Sequence, residues 1–383
     1  MSLPCPAFIV DQARVRHNLE LLASVKKRTG CRILLALKGF SMWHLAPLIS
    51  EYLDGTCASS PWEARLGHEE FGGEVHAFAA AYSKDDLHAL LRSCQHINFN
   101  SFGQWQRFRP LVEGRVSCGL RINPQCSTQE GHAIYDPCAP HSRLGIIRRH
   151  FDGQDLAGIS GLHFHTLCEQ DAGDLATTVK AVEEQFGEFL PGLAWLNFGG
   201  GHHITRPGYD IDLLCSLITR IQRQYNLQVY LEPGEAVALN TGVLTAEVLD
   251  IIDNGMDIAI LNISCTAHMP DVLEMPYRPR VWRARTDLFD DQAEGASPGT
   301  HPHTYRLAGL SCLAGDVIGD YSFTSPLKSG DRLVFADMAH YTMVKTTMFN
   351  GVHHPTLMVI DSETGNTETV RVFDYDDFKQ RLS

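Results

Sequence analysis

The sequence lacks the features that mark secreted and membrane-spanning proteins. Its eleven cysteines are an odd number with no Cys-x-x-Cys pair, which predicts reduced thiols rather than a disulfide framework or a structural zinc site. No stretch approaches the roughly 18 apolar residues that span a bilayer. Residues 1–6 contain no basic region or long apolar run, so we expect no signal peptide. These absences predict a soluble, cytoplasmic protein.

Positive charge is also scarce, and no internal repeats are evident. Lys and Arg number 32 against 45 Asp and Glu, which gives a formal net charge of −13. This balance argues against nucleic acid or an anionic membrane as a partner and is compatible with a small cationic ligand. At 383 residues the chain is longer than one ordinary domain, and two domains are expected.

A rhythm of short apolar runs separated by helical stretches follows an N-terminal strand and helix. The helical stretches include residues 62–71, 102–112 and 211–225. Eight strands with room for a helix between them predict an α/β fold of the (β/α)8 barrel type, similar to the TIM barrel. A doubly wound open sheet remains the alternative, because periodicity alone cannot close a barrel. The apolar runs are 33–37, 56–58, 75–79, 97–99, 118–122, 161–164, 194–198 and 229–231.

Beyond residue 232 the pattern changes to successive strands separated by turn residues, without a helix longer than a turn or two. This predicts an all-β C-terminal domain. We expect residues 10–240 to form the barrel, and residues 241–383, with the N-terminal strand in 1–9, to form a β-sandwich or β-barrel domain. Residues 286–303 are acidic and poor in large apolar side chains, which predicts a mobile surface loop.

Chemically active residue types follow several of the predicted barrel strands. The C-terminal ends of the strands form the active-site rim of such a barrel, so these residues are expected to lie close together. They are Lys38, Ser59, Arg121, Asn123, His163, His165, Gly199, Gly200, Gly201 and Glu232.

The types of residue at this rim indicate one coenzyme. A lysine at the end of a buried strand suits an amine nucleophile, because desolvation favours the free amine. Consecutive glycines after a strand offer N–H donors to a phosphate. His165 could stack on an aromatic ring, and Glu232 could pair with a protonated ring nitrogen. Together these groups predict a site for pyridoxal 5′-phosphate, held covalently by Lys38.

A metal site is the sharpest alternative interpretation. His163 and His165 stand at positions i and i+2, as in zinc hydrolases of the amidohydrolase type. The other rim positions hold Lys38, Arg121 and glycines, which suit an anion better than a cation. We therefore rank the metal below the coenzyme and predict no bound metal.

These residues resemble the fold-type III pyridoxal phosphate enzymes, the group of alanine racemase, ornithine decarboxylase and diaminopimelate decarboxylase. The motifs are residues 36–38, 57–59, 120–124, 164–165, 199–201, 232–234, 311–316, 340–342 and 349–351. The resemblance implies that Cys312 reprotonates the substrate carbon, delivered from the neighbouring subunit of a homodimer with shared active sites. A cysteine there points to decarboxylation rather than racemisation. The implied coenzyme-binding set is Lys38, Ser59, Arg121, His165, Cys168, Gly199, Gly200, Gly201, Glu232, Gly234 and Tyr341.

Residues 36–40, 55–67, 161–170 and 265–279 more narrowly resemble the carboxynorspermidine/carboxyspermidine decarboxylase subfamily. This implies release of CO2 from a small cationic carboxylated polyamine, yielding norspermidine or spermidine. Two positions depart from the wider group: Glu235 replaces an arginine and Cys168 replaces a serine. The acidic residues Glu235, Asp271, Glu274 and Asp316 are candidates for binding the polyamine tail.

Other functions remain open at this stage. A decarboxylase of the same fold could act on diaminopimelate or ornithine. A non-enzymatic pyridoxal phosphate carrier needs only a barrel, so a C-terminal domain with Cys312 and Tyr341 argues against it. The sequence does not distinguish carboxynorspermidine from carboxyspermidine.

Overall fold

The computed structural model describes residues 4–129, 133–285, 288–289 and 294–383. Their packing divides the chain into two compact units. One unit comprises residues 16–237, and the other combines residues 1–15 with 238–383. Among the described residues, no helix is long and apolar enough to cross a membrane.

The chain starts with strand β1 (Ala7–Asp11) and helix α1 (Gln12–Thr29). The Oδ1 atom of Asp11 accepts a hydrogen bond from the Ala13 N–H over 3.0 Å, which satisfies one of the free donors at the start of the helix. Gly30, with φ of +73°, ends the helix in the left-handed conformation that glycine adopts readily.

Eight parallel strands of the first unit form a closed barrel. The closing pair is formed by the first and last strands, in which Arg32 is aligned with Tyr230. The barrel prediction is therefore confirmed, and the open sheet is excluded. The strands are β2 (Arg32–Ala36), β3 (Gly55–Ala58), β4 (Glu74–Phe78), β5 (His96–Phe99), β6 (Ser117–Arg121), β7 (Gly161–His163), β8 (Trp195–Asn197) and β9 (Gln228–Leu231).

Helices connect these strands, and serine or aspartate side chains cap several of them. Ser101, for example, accepts the Gln104 N–H at the start of α5 over 3.1 Å. The predicted helix 62–71 is shorter than expected, because it passes into a π-helical turn at Gly67–Phe71. The α-helices are α2 (Ala46–Ser50), α3 (Pro61–Leu66), α4 (Lys84–Leu90), α5 (Phe102–Val112), α6 (Ala172–Phe186), α7 (Ile211–Tyr225) and α8 (Glu235–Ala238).

The interior of the barrel is filled beneath the active-site rim. Trp195 lies there with Leu34 and Tyr230. Two glycines make room for its indole, since a Cβ atom on Gly119 or Gly161 would lie 2.2 or 2.1 Å from it. The barrel therefore has a packed core, as is typical of this fold.

The second unit is built on a sheet in the order β14-β13-β11-β10-β1-β16-β17, with β15 pairing with β10 and β12. Its strands are β10 (Gly242–Asp253), β11 (Asp257–Leu261), β12 (Val281–Arg283), β13 (His303–Ala308), β14 (Val317–Phe323), β15 (Arg332–Ala336), β16 (Thr356–Ile360) and β17 (Thr367–Arg371). Three short helices accompany them: α9 (Cys265–His268), α10 (Asp271–Glu274) and α11 (Tyr375–Gln380).

The N-terminal strand is an internal member of this sheet. β1 pairs antiparallel with β10 and parallel with β16, and all five of its residues are buried. The segment 286–303, for which we predicted a mobile loop, lies partly outside the described residues. Of its described part, Leu288 and Phe289 pack against an apolar cluster that includes Trp282.

Candidate active site

Lys38 lies just beyond the end of β2, with its Nζ atom 3.5 Å from Nε2 of His165. Solvent reaches the lysine side chain, but protein atoms crowd its amine. This loss of hydration lowers the pKa of Lys38, and the charge of Arg121 lowers it further. The free amine that a nucleophile requires is therefore favoured.

His165 presents a fixed tautomer to this lysine. Its Nδ1 atom accepts a hydrogen bond from the Gly200 N–H over 2.7 Å, so the proton of the neutral ring is on Nε2, the atom that faces Lys38. Burial lowers the pKa of His165 well below its usual value, and the Lys38 charge adds to this effect. A neutral amine can accept from this Nε2–H, whereas an ammonium group would be repelled.

The glycine triplet is packed tightly between the ends of β7 and β9. A Cβ atom on Gly200 would lie 2.3 Å from the Glu232 carbonyl oxygen, and one on Gly201 would lie 2.0 Å from that of Leu167. The Gly199 N–H donates to Oδ1 of Asn197 over 2.8 Å, and that of Gly200 donates to His165. Two of the three glycine N–H groups therefore have partners within the protein.

Arg121 ends β6 and is buried, with 4% of its surface exposed. Its guanidinium donates to the His165 carbonyl oxygen over 3.0 Å and lies over the Phe78 ring at 4.5 Å from the centroid. Burial lowers the pKa of Arg121 to about 10, so the side chain stays charged at neutral pH. Arg121 thus supplies a fixed positive charge to the site.

Glu232 follows β9 and is held from two neighbouring strands. Its Oε1 atom accepts from Nδ2 of Asn197 over 2.7 Å, and its Oε2 atom lies 3.4 Å from Nε2 of His163. Burial alone would raise the pKa of Glu232, but the contacts with His163 and Asn197 outweigh it and lower the pKa to about 2. Glu232 is therefore an anion at neutral pH.

The two histidines of the metal hypothesis have different partners. His163 is the last residue of β7, but His165 lies beyond the strand, where the alternation of side chains no longer applies. His163 contacts Glu232, whereas His165 contacts Gly200 and Lys38. This separation does not support the zinc hydrolase alternative.

Two groups among the described residues have the spacing of metal ligands, and neither includes His163 or His165. They are Glu74, His76 and His96, and Glu169, His203 and Glu235. In the first group, the His76 and His96 rings are stacked, with centroids 3.9 Å apart and planes at 12°. Their lone pairs cannot converge well on one ion, and Arg32 already pairs with Glu74.

The remaining predicted barrel residues have structural contacts of their own. The Ser59 N–H donates to the Glu63 carboxylate over 2.6 Å, and a Cβ atom on Gly234 would lie 3.1 Å from Cα of Gly39. The backbone of Cys168 packs beside Gly201. Glu235 lies 3.1 Å from Nε2 of His203, so this predicted tail-binding carboxylate already has a partner.

Cys312 lies in the second unit, on an exposed loop, where its N–H donates to Oδ1 of Asn350 over 2.8 Å. Asp316, four residues later, is only 3% exposed. Its oxygens accept from the Ser264 hydroxyl (2.8 Å) and from the N–H groups of Cys265 (2.6 Å), Thr266 (3.3 Å) and Ser311 (2.9 Å). These four hydrogen bonds occupy the acceptor sites of Asp316 that a substrate amine would otherwise use.

Asp271 and Glu274 form a cluster with a lysine in the same unit. Nζ of Lys345 contacts both carboxylates, at 2.5 Å from Asp271 and 2.7 Å from Glu274. These two acids therefore retain one net negative charge between them. Tyr341 precedes this lysine in the same segment, with φ of +45°, and its carbonyl oxygen accepts the Lys345 N–H.

The sequence did not indicate the residues that contact and orient the predicted site residues. Asn197 joins Glu232 to the glycine triplet, and Lys345 joins two acids. His203, which lies beside Glu235 and is 6% exposed, had no indication in the sequence. Only Asn197 had a usable indication, since a polar residue ends a buried strand directly before the three glycines.

The barrel residues fit pyridoxal 5′-phosphate. A lysine with a lowered pKa suits the aldehyde of the coenzyme, and a buried carboxylate suits its ring nitrogen. The flat imidazole of His165 adjoins the lysine. Glycines fill the rim positions where a Cβ atom would collide with backbone atoms, so the backbone there can approach a ligand closely.

Comparison with known proteins gives one consistent result. Residues 8–339 match the family described as pyridoxal-dependent decarboxylase, C-terminal sheet domain. The chain is 45% identical to carboxyaminopropylagmatine decarboxylase from Synechocystis sp., over 100% of this chain and 96% of that protein. It is 42% identical to carboxynorspermidine/carboxyspermidine decarboxylase from Campylobacter jejuni, over 99% of each.

A solved structure extends this similarity to the fold. The crystal structure of carboxynorspermidine decarboxylase from Campylobacter jejuni, complexed with norspermidine, has a TM-score of 0.88 at 41% identity, over 99% of this chain and 100% of that one. Together with the rim geometry, these matches confirm the predicted family, coenzyme and type of reaction. The chain belongs to the pyridoxal-dependent decarboxylase family and is a carboxy-lyase that uses pyridoxal 5′-phosphate.

Proposed function

We propose that this enzyme removes CO2 from a carboxylated polyamine, carboxynorspermidine or carboxyspermidine, with Lys38 as the residue that binds the coenzyme covalently. The observation that carries the proposal is the pairing of the Lys38 amine with the neutral Nε2–H of His165 at 3.5 Å. This contact favours the uncharged amine, which is the form that attacks an aldehyde.

The barrel side chains then have separate tasks. His165 would stack on the coenzyme ring, and Glu232 would hold a proton on its ring nitrogen. When bound, pyridoxal phosphate supplies the electron sink for the bond that loses CO2. We assign its phosphate to the barrel rim at Gly201 and Cys168, and the positive charge of Arg121 favours the anionic coenzyme as a whole.

We assign reprotonation of the substrate carbon to Cys312. The thiol is exposed, so it is accessible to a substrate. We further propose that two copies of the chain form a homodimer in which Cys312 and Tyr341 of one copy complete the site of the other. All eleven cysteines are free thiols, which supports a reducing, cytoplasmic location.

The substrate assignment rests on charge and on the relatives. Asp271 and Glu274 retain a net negative charge beside Lys345, which suits a cationic tail. Carboxyaminopropylagmatine is the second candidate substrate, because the Synechocystis relative named for it is 45% identical to this chain. A diaminopimelate- or ornithine-type specificity remains a weaker alternative.

Covalent labelling tests the proposed role of Lys38. The protein is incubated with pyridoxal 5′-phosphate, reduced with borohydride and digested, and the mass of each lysine peptide is measured. We expect the coenzyme mass on the Lys38 peptide and no tag at that position in Lys38→Ala. Lys180→Ala is the matched control, since that side chain on α6 is 77% exposed and its loss should change nothing.

Release of CO2 from the three carboxylated polyamines, from diaminopimelate and from ornithine then ranks the substrates. The Lys38→Ala variant should lose at least 10³-fold in kcat, corresponding to about 4 kcal/mol of transition-state stabilisation. An unlabelled Lys38 peptide in the wild-type protein, or full activity of Lys38→Ala, would contradict the assignment. Preference for diaminopimelate or ornithine would contradict only the substrate.

A further inference from the structure

We propose that His163 is a positioning residue that holds the Glu232 carboxylate as a neutral donor, so that Glu232 keeps its full negative charge for the coenzyme ring nitrogen. The inference rests on the proposed role of Glu232. It assigns a task to an imidazole that family membership and the predicted set of site residues leave unexplained.

The imidazole of His163 is unfavourable for folding stability at its position. It is 2% exposed at the end of β7, and neither ring nitrogen has a well-formed hydrogen bond within the described part of the chain. Burying a polar group without a hydrogen bond destabilises a folded protein. An apolar residue would pack there at no such cost, since the edge of the Phe78 ring already contacts the imidazole at a centroid distance of 5.5 Å. The contact of Nε2 with Glu232 at 3.4 Å supplies a reason for the imidazole.

The geometry of the strands fixes this contact. His163 and Asn197 are aligned neighbours on β7 and β8. They reach one carboxylate, Asn197 at Oε1 and His163 at Oε2. Both oxygens of Glu232 therefore have a partner inside the barrel, and the carboxylate cannot turn without losing one of them.

Both partners of the Glu232 carboxylate are neutral. Asn197 carries no charge. Burial lowers the pKa of His163 and outweighs the Glu232 carboxylate, which raises it, and the nearby Arg121 and Lys38 charges lower it further. A cation in place of His163 would cancel the charge of Glu232. Neutral donors orient the Glu232 carboxylate without cancelling its negative charge. That charge can then stabilise a proton on the ring nitrogen of the coenzyme.

The test reads the protonation of that nitrogen directly. The protein is reconstituted with pyridoxal 5′-phosphate labelled with 15N in the ring, and the nitrogen chemical shift is recorded from pH 6 to 9. His163→Leu removes the donor at similar volume, whereas His163→Gln keeps an N–H donor. We expect a protonated nitrogen in the wild type and in His163→Gln. In His163→Leu its pKa should fall by one unit or more, with a loss of at least tenfold in kcat.

The outcomes separate this inference from the proposed function. If Glu232→Gln leaves the nitrogen protonated, or the wild-type nitrogen is unprotonated, the assigned role of Glu232 fails. If Glu232→Gln abolishes protonation and His163→Leu does not change it, the inference about His163 is overturned. A second measurement needs no variant: imidazole nitrogen shifts of the wild-type holoenzyme should show His163 neutral with its proton on Nε2. A cationic ring, or a proton on Nδ1, would overturn the inference.

Discussion

Asp316, a candidate from the sequence for binding the polyamine tail, has the contacts of a structural support. Its two oxygens accept hydrogen bonds from the segment 264–266 and from Ser311, one residue before Cys312. A buried carboxylate with these partners is bound by the protein itself. We therefore expect its loss to affect folding before it affects substrate affinity.

The Asp316→Ala variant should be destabilised by about 3 kcal/mol or more, because hydrogen bonds to a charged group contribute about 1.5–3 kcal/mol each. The melting temperature and the urea midpoint measure this change. Asp320→Ala is the control: that residue is 33% exposed and pairs with Arg306, and exposed ion pairs contribute about 0–1 kcal/mol. A variant with unchanged melting temperature and a raised KM would return Asp316 to the substrate-binding set.

The sequence could indicate those site residues that directly follow a predicted strand. Lys38 and Glu232 each follow a buried strand, so the barrel prediction places them at one rim. The partners of these residues were not predictable in the same way. The position at which β7 ends decides whether His163 contacts Glu232 or could share a metal with His165. A sequence pattern does not define the end of a strand to within one residue.

At the scale of elements, the segment 199–201 joins the ends of three strands. The Gly200 N–H contacts His165 after β7, and the Gly199 carbonyl oxygen accepts the Glu232 N–H after β9 over 2.8 Å. Asn197 in β8 completes the link through the Gly199 N–H. The tautomer of His165 and the placement of Glu232 therefore depend on one backbone turn.

The variant Gly200→Ala should disturb both residues together. Its Cβ atom would lie 2.3 Å from the Glu232 carbonyl oxygen, so the backbone must shift. We expect at least a tenfold loss of affinity for pyridoxal 5′-phosphate, measured by titration of the apoenzyme, and a lower melting temperature. Gly173→Ala in α6 is the control, because nothing lies within 4 Å of its added methyl group and alanine favours a helix. Equal behaviour of the two variants would contradict this account.

Most of the strands were predictable because each buried strand is a short apolar run with a helix after it. The exceptions have physical causes. β12 contains only two consecutive apolar residues, Val281 and Trp282, which is too short a run to indicate a strand. Residues 67–71 continue the predicted helical period but form a π-helical turn, in which Gly67 packs against Thr56. This close contact joins two separate elements, so the local periodicity of the sequence does not indicate it.

At the scale of the whole molecule, buried histidines should set the response to acid. Burial lowers the pKa of His76 to about 4 and that of His96 to about 3, whereas unfolded histidine titrates near about 6.5. Below that pH the unfolded chain binds more protons than the folded one, so stability falls as the pH falls towards 4. Glu232, with its pKa lowered to about 2, adds a further loss below about pH 4.5.

Replacement of one of these histidines should reduce the acid dependence. His96→Phe keeps an aromatic ring against His76 but removes a titrating group. We expect the slope of unfolding free energy against pH, between pH 6 and 4, to decrease by roughly 1.4 kcal/mol per pH unit. Urea denaturation at several pH values measures it. His17→Gln, at an exposed position of α1, should leave the slope unchanged, and an unchanged slope in His96→Phe would refute the prediction.

The hydrogen bonds of Asp316 have a practical consequence for exchanging parts between related enzymes. The Asp316 carboxylate links the loop that contains Cys312 to the segment that leads into α9 and α10. A chimera that exchanged only one of these two segments would separate the hydrogen-bond donors of one segment from the carboxylate of the other. Residues 264–274 and 309–316 should therefore be transplanted together, as a single cassette.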